Sequence, residues 1–173
     1  MRPLPHDPRT TEWIATSHKP ALAEACVRYA LAFNTLERSW LAGLLADDVQ
    51  YGSQQVFDIV HGRTPVCEHL GRKIEALRAL PGREPRFELA RSPTFGECLA
   101  GFERLEAAER NWLARPRLTA VLTVNGAGQV ASVMIVTVAP SPAHVQRSGI
   151  YPGIGSGTVH EIAQRDTGTG GGR

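Results

Sequence analysis

The side chains able to do chemistry in this chain gather in its first hundred residues. Tyr29 lies on an apolar stripe, Leu22, Cys26, Tyr29 and Phe33, spaced i, i+4, i+7 and i+11. A phenol among such neighbours can donate one hydrogen bond into an apolar space, or simply fill a core. Tyr51 and Ser53 stand two apart in an alternating run and share a face with Val49. His61 ends the following run, Val56 to His61, and is a candidate base if it faces a cavity. Asp58 lies three residues before it, so the two point to opposite faces and form no dyad. Phe57 and Phe33 are candidate apolar contacts for a ligand. Arg91 continues the face of Phe87 and Leu89, where it could pair with a carboxylate ligand or with Glu103. Glu88 falls on the other face, toward solvent or an interface.

Several chemistries find no support. The six histidines include no H-x-x-x-H and no H-E-x-x-H pair, so no metal site is expected. The G-x-S-x-G elbow of serine hydrolases is absent. Gly153-Ile154-Gly155-Ser156-Gly157 imitates a phosphate loop without a β-α unit around it. No cofactor is expected. Cys26, Cys67 and Cys98 are odd in number and far apart, which fits reduced thiols in a cytoplasmic protein. The net charge of +2 is too weak, and the arginines too dispersed, for a nucleic-acid groove. Seventeen of the nineteen basic residues are Arg, which reads as GC-rich bacterial composition. No apolar run reaches the roughly 18 residues of a membrane span, and the first eight residues lack the apolar stretch of a secretory signal.

The elements that must position these groups follow from period and punctuation. Residues 1–18 read as a flexible arm, with Trp13 and Ile14 able to dock. A helix opens at Pro20 on the Leu22–Phe33 stripe. A second short helix is expected over 36–46, closed by Asp47-Asp48. Residues 49–53 and 56–61 form a hairpin across Gln54-Gln55. Thr64 and Pro65 start a third helix carrying Cys67, Leu70, Ile74 and Leu77, ended by Pro81-Gly82. Strands are expected over 86–91 and 98–105. Residues 106–115 are ambiguous. The strongest hairpin joins 118–124 to 129–139 across Asn125-Gly126. Its second arm is apolar on both faces, so one face needs cover from a helix or a second copy. Residues 140–173 read as a Pro/Gly-rich tail, mostly disordered. Early helices and a late antiparallel sheet give an α+β fold, with the domain at 19–139.

Three stretches carry a family resemblance: Arg28 to Asn34, Trp40 to Val49, and Gly62-Arg63 opening a helix. They resemble the nuclear transport factor 2-like (NTF2-like) superfamily, which includes SnoaL-like cyclases and ketosteroid isomerases. The resemblance covers about 19–139, with Asn125 to Gly128 matching in the last hairpin. It implies a cone: three N-terminal helices packed on a strongly bent antiparallel sheet around a pocket. It places the isomerase's oxyanion-binding tyrosine on Tyr29, its general-base aspartate on Ser53 and its protonated aspartic acid on Ala120. One of three matches, so ketosteroid isomerisation is not expected. By the same resemblance Ala120, Leu122 and Val124 face inward, and His61 is the remaining base, since cyclases and dehydratases of this fold use histidine. The expectation is a small-molecule-binding domain, a homodimer, with an apolar pocket fit for a cofactor-free isomerase, cyclase or dehydratase. The alternatives are a non-catalytic dimerisation or assembly subunit, or a carrier without turnover. The expected partner is a small apolar molecule, with no nucleic acid and no membrane.

Overall fold

The computed structural model describes residues 2–54, 56–79, 86–102, 112–137 and 145–167, with the side chains of residues 56, 57, 114 and 165–167 outside the description. In chain order the elements are α1 (Pro8–Ala15), α2 (Pro20–Asn34), a 3-10 turn (Arg38–Leu41), β1 (Leu45–Ser53), β2 (Val56–His61), α3 (Arg63–Arg78), β3 (Phe87–Ser92), β4 (Gly96–Gly101), a second 3-10 turn (Trp112–Ala114), β5 (Leu118–Val124), β6 (Val130–Val136), β7 (Gln146–Arg147) and α4 (Ser156–Thr167). Among the described residues the fold is α+β, with four α-helices on a seven-stranded sheet.

The stripe through Leu22 and Phe33 winds into α2 with Pro20 in its first turn, where a missing N–H costs nothing. Twelve of its fifteen residues are buried, so α2 is covered on more than the one face the stripe supplies. It packs on β3, β4 and β5, while α3 packs on β1 and β2. The helix expected over 36–46 is only the 3-10 turn. Leu36 and Gly43 take left-handed φ values of 57° and 71°, which an α-helix cannot contain. Leu45 therefore opens β1, and Asp47 and Asp48 are exposed strand residues rather than a helix end.

The strands lie in the order β2-β1-β6-β5-β4-β3-β7. The sheet is mixed, not antiparallel as expected: β6 runs parallel to β1, with Tyr51 opposite Val133 and Ser53 opposite Ile135. Hairpin partners announce themselves through the turn between them, but a parallel neighbour reached through a long crossover does not. The β5–β6 hairpin forms as read, with the Asn125 side chain accepting from the Ala127 and Gln129 backbone at 3.0 Å each.

Among the described residues, the stretches read as arm and tail hold α1, β7 and α4. Asp7 caps α1, accepting from the backbone of Arg9 and Thr10 at 3.2 and 3.3 Å. Trp13 is buried beneath the Arg91 guanidinium, 4.1 Å from its ring centre. At the other end β7 pairs with β3, and α4 follows the glycine-rich stretch. The glycines there serve contacts. Gly153 has φ +80°, and a Cβ on it would meet Thr35 at 2.6 Å.

The back of β3 and β4 is covered as well. Ala90, Cys98, Ala100 and Phe102 form a second core with Trp112, Leu113, Val145 and Tyr151. Glu88, expected on the outer face toward solvent or an interface, is on that face but buried within the chain, at 1% exposure. Its carboxylate accepts from Arg147 Nε and Nη2 at 2.8 and 2.6 Å, Tyr151 Oη at 2.8 Å and the Gly149 backbone at 2.6 Å. The reason is the C-terminal segment, which brings its own cation and hydroxyl onto an otherwise bare strand face. Removing a partner from such a buried ion pair leaves a stranded charge. Glu88→Ala should cost about 3 kcal/mol in urea unfolding, against about 1 kcal/mol for the cap variant Asp7→Ala. Equal, small losses would mean that residues 145–151 do not hold the fold.

Candidate functional site

Between α2, α3 and the inner face of the sheet lies a cavity of about 540 Å³, open to solvent. Its inner wall is aromatic. Tyr29, Phe33 and Phe87 form a cluster with ring centres 5.0 to 5.6 Å apart. Leu77, Leu118 and Ile135 add aliphatic surface. Phe87, Gly101 and Leu118 stand abreast on β3, β4 and β5. Gly101 is the low point between them: a Cβ there would lie 2.1 Å from Leu118 Cδ1 and 3.1 Å from Phe87 Cε1.

One buried side chain fixes this wall. The Asn34 carboxamide, at the end of α2, accepts from the backbone of Arg86 and Phe87 at 2.8 Å each. It donates to the Phe87 and Pro152 carbonyls at 2.9 and 3.0 Å. All four bonds an amide readily makes are used.

The polar groups are few. Tyr29 is 1% exposed, and among the described residues its hydroxyl has no hydrogen-bond partner. Burial pushes this phenol well above its ordinary pKa, and the neighbouring Tyr51 adds to the shift. It is therefore a neutral donor at physiological pH. Tyr51 Oη accepts from Lys73 Nζ at 2.8 Å, and the ammonium also sits 5.1 Å from the ring centre. Because that oxygen accepts from Lys73, its own proton remains to be donated. The His69 ring packs 4.7 Å from the Tyr51 ring. Burial, then Lys73 and Arg72, lower its pKa, so it is neutral near pH 7. Arg86 and Arg117 line the strand ends of the cavity. The Arg86 carbonyl accepts from Phe102, and the Arg117 N–H donates to the Gly101 carbonyl, both at 2.8 Å.

Of the residues singled out in the sequence, Tyr29, Phe33, Tyr51 and Ser53 come together in this cavity. Ala120 and Leu122 do face inward, but they are fully buried in the core below and do not line it. His61 does not reach it: it is an exposed residue on the sheet's edge strand. Arg91 is also elsewhere. It holds the Trp13 carbonyl at 3.3 Å and faces Glu97 at 3.6 Å, because α1 occupies that end of the sheet. The Phe57 side chain and Glu103 lie outside the described residues. Lys73, Arg86, Phe87, Gly101 and Arg117 were not foreseen. Lys73 left a signal, being one of two lysines in an arginine-rich chain and adjacent to the buried Ile74. Phe87 left one too, on the strand face it shares with Leu89 and Arg91; Arg86, Gly101 and Arg117 left none. A second cleft, of about 500 Å³, runs between residues 5–9 and the 149–163 segment.

Solved structures similar to this chain include an NTF-2 like protein of unknown function from Burkholderia xenovorans LB400. It is 17% identical over 71% of this chain and 87% of that one, with a TM-score of 0.47. A SnoaL-like protein of unknown function from Burkholderia thailandensis E264 is 11% identical over 68% and 94%, with a TM-score of 0.49. A steroid delta-isomerase from Pseudomonas aeruginosa is 16% identical over 95% and 96%, with a TM-score of 0.41. No family model and no curated relative matches the chain. At such identities the chemistry of a site does not travel with the fold.

Raised phenol and thiol pKa values give a pH signature. Burial lifts Tyr29, Tyr151 and Cys26, and pushes Cys98 up to about 12. Each group keeps its proton in the folded chain at a pH where the unfolded chain releases it. Stability is thus intact below the ordinary values, 9.0 for thiols and 10.0 for phenols, and falls above them. Melting temperature measured up to about pH 10.5 should drop above about pH 9, with a shallower drop in Tyr29→Phe. A flat profile would mean that these groups are solvated.

Proposed function

We propose that this chain is a small-molecule-binding domain of the NTF2-like superfamily, and that its ligand lies in the cavity between Tyr29, Tyr51 and Phe87. The observation that carries this reading is the Tyr29 hydroxyl, a neutral donor with no partner among the described residues, facing about 540 Å³ of mostly apolar space. A core tyrosine normally has its hydroxyl satisfied. An apolar cavity with a few fixed donors is the usual form of a ligand site.

The two phenols can donate to one oxygen of a ligand and polarise a carbonyl there. Ser53 has no basicity of its own, and among the described lining residues there is no Asp, Glu or His. The arrangement favours binding and carbonyl polarisation. Turnover by proton transfer would fall to Lys73, the one lining group that could exchange a proton at the Tyr51 oxygen.

A homodimer is part of this reading. Met134 on β6 and Ile59 on β2 are exposed at 38% and 47% on the outer face of the sheet. A second copy placed back to back would bury them.

Native mass spectrometry of the protein purified from its own host tests both parts. The expected result is a dimer carrying a small molecule that leaves on denaturation. Ala76→Trp, at the exposed mouth, should lose the small molecule and keep the dimer. An empty dimer in both proteins would favour the assembly subunit instead.

A further inference from the structure

Lys73 brings a primary amine to the cavity. Ala76 and Leu77 follow it three and four residues later on α3 and line the same space, so one face of the helix turns its side chains inward there. The amine is held at a fixed place. Its Nζ stands 2.8 Å from Tyr51 Oη and 5.1 Å from the Tyr51 ring centre. Tyr51 itself is 3% exposed, and the His69 ring, one turn before Lys73, packs against it. The partner of the amine is thus a positioned hydroxyl, a group that both accepts a proton and returns one. The Tyr29 hydroxyl faces the same space as a donor for a carbonyl oxygen, beside the apolar wall of Phe33, Phe87 and Leu118. An amine, a hydroxyl within reach of it and a donor for the carbonyl oxygen are the parts that imine formation needs.

Resting on the reading of this cavity as a ligand site, we propose that its ligand is an aldehyde or ketone with an apolar body, and that Lys73 joins it as an imine. Lys73 is exposed at the mouth, where its ammonium releases a proton to water. The Nζ lone pair attacks the carbonyl carbon, and a C–N bond forms. The C=O pair moves to the oxygen, which takes a proton from the nitrogen through the Tyr51 hydroxyl. Tyr51 then gives its proton to the new hydroxyl, which leaves as water. The last N–H proton passes back to the Tyr51 oxygen. One amine and one carbonyl give one imine and one water, with nothing oxidised or reduced. The apolar body lies on Phe33, Phe87 and Leu118 throughout, which holds the carbonyl at the amine.

The test is reductive trapping with 2-naphthaldehyde and cyanoborohydride, read by peptide mapping. Lys19, exposed at the start of α2 and outside the cavity lining, is the internal reference. Propanal, which lacks an apolar body, is the reference aldehyde. The ratio of Lys73 to Lys19 adduct should be at least about tenfold higher with 2-naphthaldehyde than with propanal. Excess 2-naphthamide should bring that ratio down. Tyr51→Phe should slow the adduct at Lys73 and not at Lys19, and should still bind 2-naphthamide. The competition uses the unaltered protein, so it stands even if the variant misfolds. Equal ratios for the two aldehydes would overturn the imine. The ligand site survives that result if 2-naphthamide still binds in the cavity. It falls with the imine if 2-naphthamide does not bind and the native protein retains no small molecule.

Discussion

The Asn34 carboxamide is the constraint on which the rest of this structure hangs. It sits at the last residue of α2 and makes four bonds to backbone groups of Arg86, Phe87 and Pro152. Through it the central helix sets where β3 begins and where the C-terminal segment crosses. Phe87 then lands against Tyr29 and Phe33, and Arg86 lands at the cavity edge. Buried amides of this kind are expensive to leave half-satisfied. That expense is what makes the position of the wall unique.

The sheet has two unlike ends. At the β3–β4 end both faces are buried, with α2 in front and the Trp112, Val145 and Tyr151 layer behind. Glu88 finds its hydrogen-bond partners there because Arg147 and Tyr151 arrive with the layer. At the β6–β1–β2 end the front face carries α3 and the back face shows Met134 and Ile59. The buried end holds the cavity's aromatic wall. The open end supplies Tyr51 and Ser53 from β1, with Ile135 beside them on β6. The cavity thus lies where the aromatic wall meets the β1–β6 strand pair.

Much of this was legible in the sequence because it is local. The period of Leu22, Cys26, Tyr29 and Phe33 gave α2, and Asn125-Gly126 gave the β5–β6 turn. The alternation of Tyr51 with Ser53 put both in the cavity. What escaped was non-local. The parallel pairing of β1 with β6 has no turn to announce it. Arg91 kept the predicted strand face but met α1, an element hidden in a Pro- and Arg-rich arm whose cap is the single Asp7. Glu88 was read toward solvent or an interface because its cation lies 59 residues later. Ala120 and Leu122 were placed on the correct face at the wrong depth, since alternation gives the side of a strand and not the distance from the cavity floor. Lys73 was counted as composition when its place on α3 made it chemistry.

As a chemical device the cavity sets the Tyr29 and Tyr51 phenols and the Lys73 ammonium beside an aromatic wall. The most direct test is a methyl NMR titration of the protein with 2-naphthoate and 2-naphthamide. If the cavity is the ligand site, the methyls of Leu77, Leu118 and Ile135 shift together, while those of Leu45 and Leu70 in the closed core stay still. Shifts confined to Ile59 and Met134, or to Ile154 and Val159 in the second cleft, would contradict it.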